Sequence, residues 1–92
     1  MILKIVTPEA TIFQSEIESV AVPGINGSFQ MLENHAPIVS LLNTGLIKIS
    51  GSSIKIEKEF SDKFKKVGTE YHLTINSGTI EMNANEIIIL AD

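Results

Sequence analysis

Apolar residues recur at every second position in short runs, and a turn-forming residue stops each run before it grows long. Ile2, Lys4 and Val6 oppose Leu3 and Ile5, and Tyr71, Leu73 and Ile75 oppose His72 and Thr74. Side chains that alternate in this way line the two faces of a strand. Comparable runs fall at Thr11 to Gln14, Ile17 to Val22, Ser28 to Leu32, Ile38 to Leu41, Leu46 to Ser50, Ile54 to Phe60, Thr79 to Met82 and Glu86 to Leu90. Between them stand Pro23-Gly24, Asn26-Gly27, Asn43-Thr44-Gly45, Gly51-Ser52-Ser53, Ser77-Gly78 and Asn83-Ala84-Asn85, whose residues favour tight reversals. The pattern predicts an all-β fold: a single domain over 1–92 in which about eight to ten short strands form an antiparallel two-sheet sandwich or flattened barrel.

One stretch departs from the alternation. Phe60, Phe64 and Val67 are spaced to line one face of a short helix. A helix of two turns is marginal by itself, so the expected form of Ile54 to Tyr71 is a long, frayed hairpin.

With 92 residues, 43% of them hydrophobic and 20% charged, the chain has the make-up of an ordinary folded domain with one modest core. The absence of cysteine removes disulfides and cysteine-rich zinc sites, and suits a reducing compartment. The longest purely apolar run, Ile87 to Ala91, is far shorter than the roughly 20 residues of a spanning helix. No signal or transit peptide is visible at Met1-Ile2-Leu3-Lys4, which makes the cytoplasm the expected location. A net charge of −4, with seven lysines and no arginine, disfavours nucleic-acid binding. Lys55, Lys58, Lys63, Lys65 and Lys66 crowd one stretch among Glu57, Glu59 and Asp62, the mixture of a solvated face.

Motifs of catalysis are missing. There is no nucleophile elbow, and Ser28, His35 and Asp62 have no triad spacing. Neither phosphate-cradling glycine motif occurs, and His35 and His72 share no metal-ligand spacing, so no catalytic residue, metal or cofactor is expected. Glu16 with Glu18, and Glu57 with Glu59, each project to one side of a strand; a wet sheet face explains them more simply than acid–base chemistry.

The most specific stretch is Val20-Ala21-Val22-Pro23-Gly24-Ile25-Asn26-Gly27-Ser28-Phe29, continuing through Leu32 to His35-Ala36-Pro37, Leu42, Gly45, Ile47 and Ile49. It resembles the signature of ATP synthase epsilon subunits. Thr7-Pro8-Glu9 with Phe13 is similar to that family's opening strand and turn, and Leu90-Ala91-Asp92 to its closing one. The likeness covers 1–50 and 71–92; Ser77 and Thr79 replace the usual glycine and phenylalanine, and the stretch between is longer than usual. Backbone chemistry gives Pro23, Gly24, Pro37 and Gly45 structural turn roles in any case.

The resemblance implies a non-catalytic rotor subunit on the cytoplasmic face of a bacterial membrane, clamping a gamma subunit to a ring of c subunits. It would bind them through Asn26, Gly27, Ser28 and His35 for the ring, and Thr7, Ile12, Met31, Ser40 and again His35 for gamma. Ile12, Ile25 and Met31 are accordingly expected as exposed apolar contacts. Family members that continue into two α-helices can inhibit ATP hydrolysis or bind ATP, so a chain ending at Asp92 is expected to do neither. Two rivals stand beside this reading: a sandwich that binds peptide or carbohydrate, which aromatics at 5% support poorly, and a small enzyme built on clustered carboxylates.

Overall fold

The computed structural model describes all of residues 1–92 and contains ten strands: β1 Ile2–Val6, β2 Thr11–Glu16, β3 Ser19–Gly24, β4 Gly27–Leu32, β5 Ile38–Leu42, β6 Gly45–Ser50, β7 Phe64–Val67, β8 Glu70–Ile75, β9 Gly78–Asn83 and β10 Glu86–Ala91. They form one continuous ladder in the order β2-β1-β10-β9-β5-β3-β6-β8-β7, with β4 on the other side of β3. The link between β5 and β3 is a single pair, Gly24 with Leu42. The ladder therefore folds there into two layers: β2-β1-β10-β9-β5, here the first sheet, and β4-β3-β6-β8-β7, the second. A sandwich or flattened barrel is what the alternation foresaw.

Direction is the one departure from an all-antiparallel sheet. β1 runs parallel to β10, pairing Leu3 with Ile87 and Ile5 with Ile89. Apolar alternation reports which face a residue takes and nothing about the neighbour's direction.

Nineteen hydrophobic residues fill the space between the layers. Leu3 and Ile5 of β1, Ile87 and Ile89 of β10 and Ile80 of β9 meet Val20 of β3 and Ile47 and Ile49 of β6, all of them essentially inaccessible to water. Each such side chain contributes about 1.5–3 kcal/mol by leaving water.

Two expected contact residues belong to this core. Ile12 is 2% exposed and Met31 is 0% exposed. The β1–β2 register slips between Ile5 and Val6, so Ile12 and Phe13 both turn inward although they are adjacent. Met31 pairs with Val20 and shares its inward face. Of the three apolar contacts foreseen, Ile25 alone is exposed.

The segment 54–67 corrects a second expectation. Ile54 to Phe60 is not a strand: the chain is extended but unpaired as far as Glu57, then enters a 3₁₀ helix, Lys58–Lys63. Ile54, Ile56 and Phe60 pack on the core, while the Lys55 N–H donates to Ser15 Oγ at 3.1 Å in place of a ladder bond. A shorter hairpin follows, β7 to β8, around Gly68 at φ 62°. The Phe64 ring reaches the core beside Phe13, 5.6 Å between centroids, but Val67 stays exposed, so the three residues share no helical face.

Candidate functional site

Paired strands place each singled-out residue at one of two ends. At the first end, Gly24 and Gly27 face each other across a two-residue turn that exposes Ile25 and Asn26. Gly27 has φ 118°, a conformation that L-residues rarely adopt. Gly24 is required for another reason: a Cβ there would lie 2.8 Å from the backbone oxygen of Gly27, besides 2.7 Å from Phe29 Cε1. The turn is tied to β5, because the Ile25 N–H donates to Leu41 O at 3.3 Å and the Asn43 N–H to Pro23 O at 2.7 Å. Pro23 sits against Gly45, where a Cβ would approach its Cβ to 2.8 Å. Asn26, Gly27 and Ser28 are left as an exposed polar tip on a braced base.

Thr7 belongs to the same end. Val6 lies in the cross-strand row of Leu90, Thr79 and Leu41, next to the row that carries Leu42 and Gly24. The Thr7 N–H and hydroxyl both donate to Ala10 O, at 2.8 and 3.2 Å, which closes the β1–β2 turn.

His35 lies at the opposite end. β4 begins at Gly27 and finishes at Leu32, so its length of roughly 17–20 Å separates the Asn26 tip from the His35 loop. The expected grouping of His35 with Asn26, Gly27 and Ser28 in one patch therefore does not hold. The loop is anchored by Asn34, whose N–H donates to Asn85 Oδ1 at 2.8 Å, and by the His35 N–H, which donates to Leu32 O at 3.1 Å. The exposed imidazole keeps Nδ1 2.7 Å from Ala36 O. Pro37 then starts the chain toward β5, and Ser40 lies midway along it, half-buried, donating to Leu41 O at 3.1 Å.

Between these ends lies a surface the sequence reading overlooked. On the outer face of the first sheet, Val39, Glu81, Ile88 and Lys4 stand in one cross-strand row, and Leu41, Thr79, Leu90 and Val6 in the next. Val39 is 74% exposed, Leu41 56%, Leu90 52% and Ile88 38%. Scattered apolar side chains on a surface are ordinary, whereas adjoining ones in two registered rows form a continuous apolar patch. The signal was present: Ile-Val-Ser-Leu-Leu in β5 and Ile-Ile-Ile-Leu-Ala in β10 are apolar on both strand faces, the pattern of strands buried on both sides.

Acidic residues have other work. Glu16 Oε1 meets the N-terminal amine at 2.9 Å, and Glu18 Oε2 accepts from the Ser52 N–H at 3.0 Å. Nowhere do three His, Cys, Asp or Glu side chains converge as metal ligands would. No helix is long and apolar enough to cross a membrane.

Comparison with known proteins agrees with this architecture. The family model for the ATP synthase delta/epsilon chain β-sandwich domain matches residues 1–92. The ATP synthase epsilon chain of Campylobacter concisus (strain 13826) is 38% identical over 90 residues, which is 98% of this chain and 59% of that protein. That of Chlorobaculum tepidum is 34% identical over 90 residues, 98% of this chain and 86% of its own length. The chain thus spans about three-fifths of the first of these relatives and most of the second. Among solved structures, a chain of the Tetrahymena thermophila mitochondrial ATP synthase central stalk and c-ring superposes with a TM-score of 0.73 at 14% identity, over 99% of this chain and 62% of that one, a likeness of fold. Matched along its whole length by the family's own pattern, the chain belongs to the β-sandwich family of ATP synthase delta and epsilon chains.

Proposed function

We propose that the chain is a non-catalytic central-stalk subunit of a bacterial F-type ATP synthase, holding the gamma subunit against the c-ring so that ion translocation is coupled to ATP synthesis. The observation that carries this reading is the pair of unlike surfaces on one small body. A flat apolar face, Val39, Leu41, Ile88 and Leu90, lies beside a protruding polar tip, Asn26, Gly27 and Ser28.

A clamp must resist shear between its two partners. Here both surfaces are fixed to one ladder of ten strands with a shared core, 31 × 26 × 23 Å overall. The apolar face suits gamma, because a permanent contact buries apolar area, and a stable one needs roughly 1,200 Å² or more. Thr7 at one end of that face and His35 at the other form its polar rim, whereas Ser40, paired with the buried Ile80, turns to the core side of β5. The Asn26 tip suits polar loops of the ring. No step of the mechanism requires a cofactor, and the subunit works at the cytoplasmic side of the membrane without entering it.

Complexes purified from membranes test this directly. Leu41→Asp, on the outer face, should release the chain from gamma while its β-sheet spectrum stays unchanged, and uncouple ATP synthesis from ion flow. Gamma binding that is unaltered in Leu41→Asp and in Leu90→Asp together would overturn the assignment.

A further inference from the structure

The outer face of the second sheet carries charge of the opposite sign to the rest of the molecule. All the lysines except Lys4 fall between Lys48 and Lys66. Lys48 of β6 and Lys65 of β7 both pair with His72 of β8, so three basic side chains stand in one cross-strand row. The acid on this face of the strands is Glu70, already engaged with His72 Nε2 at 2.9 Å. By contrast, Glu16, Glu81 and Glu86 share the outer face of the first sheet with Lys4.

Lysines at a sheet edge commonly guard it against unwanted pairing, and β7 is an edge strand. That explanation accounts for Lys65 but not for Lys48, which lies on β6 between β3 and β8. Lys48 and Lys65 flank His72 two strand spacings apart, about 10 Å, and concentrate positive charge on one face, which suits an anionic partner.

The edge itself narrows the kind of partner. Val67 and Glu70 close the β7–β8 hairpin, so the alternation of an antiparallel ladder turns the backbone N–H and C=O of Lys66 away from β8, toward the open side. The corresponding Phe64 N–H is taken by Ser61 O. Beside this edge lies a groove of about 390 Å³, whose lining sets Lys63 and Lys65 against a single acid, Asp62, beside the apolar Leu46 and Val67. A lipid headgroup could use the charges alone, whereas a polypeptide can use the charges, the apolar Leu46 and Val67 and the free backbone groups together.

We propose that the open edge of β7 receives an acidic, extended polypeptide segment as an added strand, placing a carboxylate opposite Lys65 and an apolar side chain opposite Val67. This contact is separate from the gamma and ring surfaces and stands whether or not that assignment holds.

Amide spectra of the isotopically labelled chain, titrated with a short synthetic peptide of alternating glutamate and valine, provide the test. Shifts should centre on Lys65, Lys66, Val67 and His72, and the affinity should fall with added salt. Lys65→Glu should weaken binding about tenfold or more. Lys66→Pro removes the outward N–H without touching the β7–β8 ladder, and should abolish binding while Lys66→Gln retains most of it; unshifted β9 and β10 amides verify the fold of each variant. The proposal fails if the peptide does not bind, if shifts centre on the Asn26 turn or the outer face of the first sheet, or if Lys65→Glu and Lys66→Pro bind like the parent. It fails equally if phosphatidylglycerol vesicles bind and the peptide does not.

Discussion

Asn34 and Asn85, 51 positions apart, hold each other in place: the Asn34 N–H donates to Asn85 Oδ1 at 2.8 Å, and Asn85 Nδ2 returns a bond to Asn34 Oδ1 at 3.2 Å. Both have left-handed backbones, φ 67° and 61°, which asparagine tolerates better than most residues. The exchange fastens the His35 loop to the β9–β10 hairpin. Replacing Asn85 by Ala should cost about 1–2 kcal/mol in chemical denaturation, since it removes the bonds and puts a less tolerant residue at positive φ. Asn85→Gly, which keeps the backbone at ease, should lose less.

Core membership of Ile12 and Met31 gives them a signature unlike that of contact residues. Ile12→Ala and Met31→Ala should each destabilise the fold by about 2–5 kcal/mol, read from the shift in denaturation midpoint. Ile12→Asp should unfold the domain rather than selectively block a partner, because it buries an unpaired carboxylate. A well-folded Ile12→Asp variant would contradict the packing described.

Gly78 lies where β9 runs between β10 and β5, and a Cβ at that point would collide with Leu90 O. That obstacle is backbone in a central ladder and cannot swing aside. Gly78→Ala should therefore lower stability by about 2 kcal/mol or more. Gly68→Ala has open space around it, and its cost should be about 1 kcal/mol from the positive φ alone.

In the isolated chain the outer face of the first sheet leaves Val39, Leu41 and Leu90 in water. Val39→Lys and Leu90→Lys should raise solubility in sedimentation and light scattering and change stability by less than about 0.5 kcal/mol, the range of ordinary surface substitutions. A large loss of stability would mean those side chains pack against the chain itself.

Fold class was open to reading because Ile2 to Val6 and Tyr71 to Ile75 have one wet face, and the alternation of such strands is direct. The braced turn was equally open: Pro23 presets φ, and Gly24 and Gly27 admit the backbone conformations and close approach that a tight turn needs. What stayed hidden has three physical causes. The slip between Ile5 and Val6 moves Ile12 inward, and bulges leave no mark on composition. β5 and β10 are apolar on both faces, so alternation does not separate their exposed face from the core. Lastly, Ile54 and Ile56 pack inward like strand residues with no neighbouring strand to bond, a distinction that lies in partners and not in the residues themselves.

Parallel pairing of β1 with β10 bears on biosynthesis. As the chain leaves the ribosome, Leu3 and Ile5 can pair with β2 at once, but their other neighbour, β10, emerges after every other strand. Until then an apolar strand edge is uncovered. Productive collapse must wait for late residues, which slows folding and exposes the nascent chain to aggregation. Newly made copies should depend on chaperones or on rapid completion of translation more than a domain of nested hairpins would.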